Sequence, residues 1–104
     1  MNEEVLLMNA SVAIQVLPQN VDQEKMLRCV DEVIKYISSL DINYTVGPFE
    51  TVLEGEFDVL MEVVRACFRI CVAAGAPGVL GYVKVNYCPD GVLTIDEKVR
   101  QYQK

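Results

Sequence analysis

An α+β sandwich is the fold class this 104-residue sequence predicts: a four-stranded antiparallel sheet with two helices on one face and a short C-terminal helix. Three observations predict it. Asn9 to Leu17 alternates, with Val12, Ile14 and Val16 on one side and Ser11, Ala13 and Gln15 on the other, as a half-buried strand does. Asn20 to Ser39 and Gly55 to Ala74 each carry an apolar stripe at helical spacing. Between these stripes, Gly47-Pro48-Phe49 separates two short alternating segments, the pattern of a hairpin.

Each element has its own signals. Pro18 is expected to end the first strand. Asn20 is the expected cap of the first helix, with Gln23 at capping-box spacing and Met26, Leu27, Val30, Val33, Ile34 and Ile37 facing the core. Ile42 to Val46 and Glu50 to Glu54 form the hairpin strands. A turn centred on Pro48-Phe49 pairs Val46 with Thr51, Thr45 with Val52, Tyr44 with Leu53 and Asn43 with Glu54. Gly55 opens the second helix, whose core stripe is Phe57, Leu60, Met61, Val64, Cys67, Phe68 and Cys71; Gly75 and Pro77 stop it. The last strand spans Val79 to Tyr87, with Val83 and Val85 suited to the core. Cys88-Pro89-Asp90-Gly91 is a turn, and Thr94, with Glu97 three residues on, caps a helix to Tyr102. The resulting order, β-α-β-β-α-β, is the ferredoxin-like split βαβ arrangement. Residues 1–7 read as an N-terminal extension and residues 8–104 as a single domain.

Composition narrows the function. The net charge is −6, which excludes a nucleic-acid or anionic-membrane partner as the expectation, because phosphates demand a basic face. The sequence contains no histidine, which removes imidazole bases, Ser-His and Cys-His nucleophiles and histidine metal sites. The four cysteines include no C-x-x-C pair; Cys67 and Cys71 read as small core hydrophobes and Cys88 as the exposed thiol. No metal or disulfide is therefore expected to be needed. An acidic start and the lack of a long apolar run point to a cytoplasmic protein.

With both helices on one side, the other sheet face has no cover in the predicted arrangement. It carries Ser11, Ala13, Gln15, Asn43, Thr45, Glu50, Val52, Glu54, Tyr82, Lys84 and Asn86. A half-apolar open face of this kind serves as a subunit interface or a ligand floor.

The stretch Asn43-Tyr44-Thr45-Val46-Gly47-Pro48-Phe49-Glu50-Thr51-Val52-Leu53-Glu54-Gly55 resembles the hairpin of the small thiamine/hydroxymethylpyrimidine-binding proteins. Ala13 to Pro18 and Gly91 to Val99 agree with the same family in order and spacing. The resemblance implies a ferredoxin-like domain that forms dimers or tetramers through its sheet faces. It also implies binding of thiamine or its hydroxymethylpyrimidine moiety near subunit contacts, without catalysis or a further cofactor. Thr51 and Glu54 match the family hairpin, and Gln15 lies on the open face of the first strand.

Thiamine chemistry sets a separate requirement: carboxylates for its cation, amides or hydroxyls for its aminopyrimidine, and an aromatic face. Glu50 and Glu54 supply negative potential in this reading; Gln15, Thr45 and Asn86 pair with the pyrimidine; Tyr82 stacks. In the predicted register Thr51 faces the helices, so only a bulge brings it to the ligand. Lys84 opposes a nearby cation unless it pairs with a glutamate. With Lys84 as the one expected cation on the face, an unphosphorylated ligand is preferred. An enzyme built on paired carboxylates and a structural or regulatory oligomer with no small ligand are the competing readings.

Overall fold

The computed structural model describes residues 8–99. Its elements follow in the order β1 (Ala10–Gln19), α1 (Gln23–Ser38), β2 (Asn43–Val46), β3 (Thr51–Gly55), α2 (Phe57–Ala73), β4 (Gly78–Tyr87) and α3 (Ile95–Val99). The strands form one antiparallel sheet in the order β2-β3-β1-β4. The expected N-terminal extension and the end of the C-terminal helix beyond Val99 lie outside the described residues.

The hairpin register is the one the turn predicts. Asn43 opposes Glu54, Tyr44 opposes Leu53, Thr45 opposes Val52 and Val46 opposes Thr51. The Gly47 N–H closes the turn on the Glu50 carbonyl at 2.9 Å. Because side chains alternate along every strand, this pairing sends Leu53 to the helix side with Val12 and leaves Val52 on the other face with Ala13. Val12, Leu53, Leu60, Cys29, Cys67 and Cys71 are fully buried and form the centre of the core with Ile37.

Several local expectations are corrected. Asp22, not Asn20, caps α1: its carboxylate accepts from the Lys25 N–H at 2.8 Å. Asn20 instead takes a left-handed turn at φ 53°, a conformation asparagine tolerates better than most residues. On α1, Leu27 is exposed and Cys29 is buried, because Cys29, Val33 and Ile37 repeat every four residues along the packed stripe. Gly55 ends β3 rather than opening α2, whose cap is Glu56, and Val63 joins the core. Val85 faces the helix side, but β4 is an edge strand and nearly half of this side chain stays exposed.

Pro18 does not end β1, which continues to Gln19. Past Ile14, β1 has β4 beside it but no longer β3. A proline lacks a ladder donor and is tolerated where one edge of its strand is open. At the other end of α2, Gly75 at φ 113° lets the chain reverse. Its N–H bonds the Val72 carbonyl at 3.0 Å, and the Ala76 N–H reaches back to Cys71 at 3.1 Å, a Schellman closure.

Helix α2 is held close to the sheet by the absence of a side chain at Gly81. A Cβ there would sit 2.2 Å from Phe68 Cζ, so the ring occupies the space a larger residue would need. Gly81→Ala should therefore displace Phe68 and lower stability by about 1–3 kcal/mol in urea unfolding. Combining it with Phe68→Leu should recover part of that loss; an unchanged midpoint for Gly81→Ala alone would refute the contact.

The thiols divide by burial. Cys29, Cys67 and Cys71 are buried and Cys88 is exposed. Burial, followed by the neighbouring Cys71, pushes the Cys67 thiol up to about 11 from 9.0; burial, followed by Cys29, does the same to Cys71. A thiol whose folded value is raised gives up its proton more readily when unfolded. Stability should thus hold below about pH 9 and fall as pH rises from 9 toward 11. At neutral pH a thiol reagent should label Cys88 rapidly and the other three at the rate of unfolding; fast labelling at Cys67 would contradict this packing.

Candidate functional site

The open face is not bare. After β4 the chain turns back through Cys88-Pro89-Asp90-Gly91, where the Gly91 N–H bonds the Cys88 carbonyl at 2.8 Å. Gly91 stands at φ 121°, a conformation that favours glycine. Two backbone bonds tie this return to the start of β1: Cys88 N–H to the Asn9 carbonyl at 2.9 Å and Val92 N–H to the Met8 carbonyl at 3.0 Å. The side chain of Asn9 also accepts from the Phe57 N–H at 2.9 Å, so one residue anchors both the return and the start of α2.

Helix α3 then lies against the open face. The capping box read in the sequence is formed in both directions: Glu97 N–H to Thr94 Oγ1 at 3.0 Å and Thr94 N–H to Glu97 Oε1 at 2.8 Å. The Ile95 N–H donates to Glu54 Oε2 at 2.6 Å, and Asn43 Nδ2 donates to Glu54 Oε1 at 2.5 Å. Glu54 is 1% exposed, and both of its carboxylate oxygens are taken by donors from β2 and α3. Lys98 Nζ reaches Ser11 Oγ at 3.1 Å from the next turn of the helix.

Between α3 and the sheet lies a cavity of about 360 Å³. The sheet contributes Ser11, Ala13, Val52, Lys84 and Asn86, and the helix contributes Ile95, Lys98 and Val99. That volume is at the lower end of small-molecule sites, which run from about 300 to 1,000 Å³. Its floor comes from two cross-sheet rows: Ser11 and Asn86 of the row that also holds Asn43 and Glu54, then Val52, Ala13 and Lys84 of the row that begins at Thr45. The walls are largely apolar, with a few polar groups at one side.

The residues singled out from sequence fall into separate places. Asn86 lines the cavity, and no hydrogen bond engages its amide among the described residues. Gln15 and Tyr82 oppose each other one row farther from α3, Gln15 half-buried and Tyr82 exposed. Thr45 is exposed on β2. Glu50 pairs with Lys84, its Oε1 3.3 Å from Nζ, so the cation on this face is matched by a carboxylate.

Glu54 and the open face depart from expectation, and Thr51 keeps the helix-side position that its register predicts. Glu54 is on the open face but holds α3 and Asn43 rather than standing free. Thr51 pairs with Ile14 without a bulge and so faces the helix side, where it lines a separate cavity with Met26 and Val30 of α1. The open face itself, expected to be uncovered, is roofed at this end.

Sequence reasoning passed over Lys98, Ile95 and Val99. Their signal was present: Ile95, Lys98 and Val99 repeat at i, i+3 and i+4 after a capping box, the spacing of a helix face that docks. Among the described residues, no group of three His, Cys, Asp or Glu side chains is placed to hold a metal ion.

Glu54 is the test of this geometry. Glu54→Gln replaces one acceptor by an amide donor, so either Ile95 N–H or Asn43 Nδ2 loses its partner. The substitution should lower stability by about 1–3 kcal/mol and raise hydrogen exchange at Ile95. Exchange at Ile95 that does not change would show that the carboxylate does not hold the helix.

Comparison with known proteins places the chain. Residues 12–103 match the thiamine-binding protein family. A Clostridium perfringens protein described as a UPF0045 protein is 42% identical over 93 residues, which is 89% of this chain and 96% of that one. A Bacillus cereus structure described as a domain of unknown function superposes with a TM-score of 0.83 at 36% identity, covering 94% of this chain and 93% of that chain. A Thermotoga maritima structure, of a protein proposed for thiamine biosynthesis or salvage, gives a TM-score of 0.80 at 33% identity, covering 91% and 99%. The match spans both strands of the hairpin, the cavity floor apart from Ser11, and the helix that roofs it: this chain belongs to the thiamine-binding protein family.

Proposed function

We propose that the protein is a non-catalytic cytoplasmic binding protein for thiamine or its hydroxymethylpyrimidine moiety, held in the cavity between the open sheet face and α3. The observation that carries this reading is the cavity itself: apolar residues on both floor and roof, with an unengaged carboxamide in the lining. Ala13 and Val52 below and Ile95 and Val99 above offer the ring apolar contact. The Asn86 carboxamide carries a donor and an acceptor side by side, the complement of a ring nitrogen next to an exocyclic amine. Ser11 adds a hydroxyl on the adjacent strand.

Family membership supports binding over catalysis, and the chemistry agrees. The chain has no histidine, and Glu54, the buried carboxylate nearest the cavity, spends both oxygens on structural donors. A second copy is proposed to cover the remainder of the open face, where Leu80 and Tyr82 stand exposed beyond α3. Gln15, Thr45 and Tyr82 belong to that uncovered part, and in this reading they serve a contact between copies or the rim of the ligand site.

Titration calorimetry with hydroxymethylpyrimidine and thiamine, alongside light scattering for the oligomeric state, tests the reading. Saturable one-to-one binding is expected, and Asn86→Ala should weaken it by about five- to a hundred-fold. No heat with either compound at millimolar concentration would leave a structural or regulatory oligomer as the function.

A further inference from the structure

We propose that the cavity under α3 selects a ligand bearing a phosphate ester, with Lys98 and Lys84 as its anion-binding groups. The inference rests on the pyrimidine reading for the ring, but its own observation is electrostatic. The protein carries 15 acidic and 9 basic residues, yet two lysines line this cavity and no aspartate or glutamate does. A pocket formed without regard to charge in so acidic a chain would be expected to hold carboxylates.

The two cations are differently placed. Lys98 comes from the roof and is half-buried; its Nζ is 3.1 Å from Ser11 Oγ on the floor. It makes no ion pair with a carboxylate among the described residues. A hydroxyl is a weak partner for an ammonium group, which retains two further protons to donate. Lys84 lies across the floor and pairs with Glu50 at the surface, a contact of the solvent-exposed kind that contributes little and yields readily to a competing anion. Ser11 Oγ can turn its own proton outward once Lys98 has an oxygen to meet.

A phosphate monoester fits this set. Its oxygens accept from two ammonium groups and a hydroxyl, and such charge-assisted hydrogen bonds are short and strong. The cation of free thiamine meets the same ammonium groups as a like charge. Lys98 thereby alters the balance that favoured an unphosphorylated ligand when Lys84 was the one cation expected here. The phosphate esters of hydroxymethylpyrimidine and of thiamine are the compounds whose charge agrees with the cavity.

The experiment is calorimetry at low and at raised ionic strength with four compounds: hydroxymethylpyrimidine, its monophosphate, thiamine and thiamine monophosphate. Phenyl phosphate and inorganic phosphate are the pyrimidine-free controls. Each ester should bind at least about ten-fold tighter than its parent alcohol, and the difference should shrink as salt is raised. Lys98→Gln should abolish the preference, so that each ester binds no tighter than its parent alcohol, and Lys98→Arg should restore most of it. Lys84→Gln, at an exposed strand position, should reduce the preference without depending on the roof.

Parent compounds binding as tightly as their esters would overturn the proposal and leave the pyrimidine reading standing. A preference that survives Lys98→Gln and Lys84→Gln alike would also overturn it. Phenyl phosphate binding as tightly as the pyrimidine ester would support the anion site and overturn the pyrimidine reading. No binding by any of the phosphates would overturn the anion site.

Discussion

A single buried carboxylate organises the functional end of this protein. Glu54 sits on the central part of the sheet, yet it is nearly inaccessible to water and accepts hydrogen bonds from an edge-strand amide and from the first turn of α3. A carboxyl group in such a place is tolerated because each oxygen has a hydrogen-bond partner. Remove the carboxylate and two donors from distant parts of the chain, Asn43 and Ile95, lose their common acceptor. The hairpin edge, the sheet floor and the C-terminal helix meet at this one side chain.

The charge pattern follows from that arrangement. Acidic residues dominate the sequence, but where they approach the cavity they are committed: Glu54 to backbone and amide donors, Glu50 to Lys84, Glu97 to the start of its own helix. The polar residues that line the space are instead an asparagine, a serine and two lysines. The polarity of the site is thus close to the reverse of the polarity of the protein. Local hydrogen bonding, rather than net charge, decides what the cavity offers to a ligand.

Most of the fold was legible in the sequence because alternation and turn chemistry determine register directly. Thr45 had to oppose Val52 once Pro48-Phe49 closed the turn, and every face assignment followed from that pairing. The Thr94–Glu97 box was equally readable, since it depends on residues three apart. Less legible was where that short helix docks. Sequence spacing placed Glu54 and Asn86 on the same face, but it contained no information about Ile95 descending onto one of them. Pro18 misled for a related reason: whether a proline ends a strand depends on whether its neighbour strand is still there. Leu27 and Cys29 exchanged places because size and hydrophobicity rank leucine first, whereas the packed stripe of α1 was already set by Val33 and Ile37.

Helix α3, over Ile95–Val99, is joined to the sheet by hydrogen bonds to Glu54 and to Ser11. Its order is borrowed from the sheet through Glu54, Ser11 and the capping box. Any molecule seated beneath it therefore shares a free-energy cycle with the docking of the helix. Occupancy would tighten the roof, and loosening the roof would weaken occupancy by the same factor, since linkage of this kind is reciprocal. Affinity for such a molecule would then be distributed over residues that never touch it, with Asn43 on the far edge of the sheet among them.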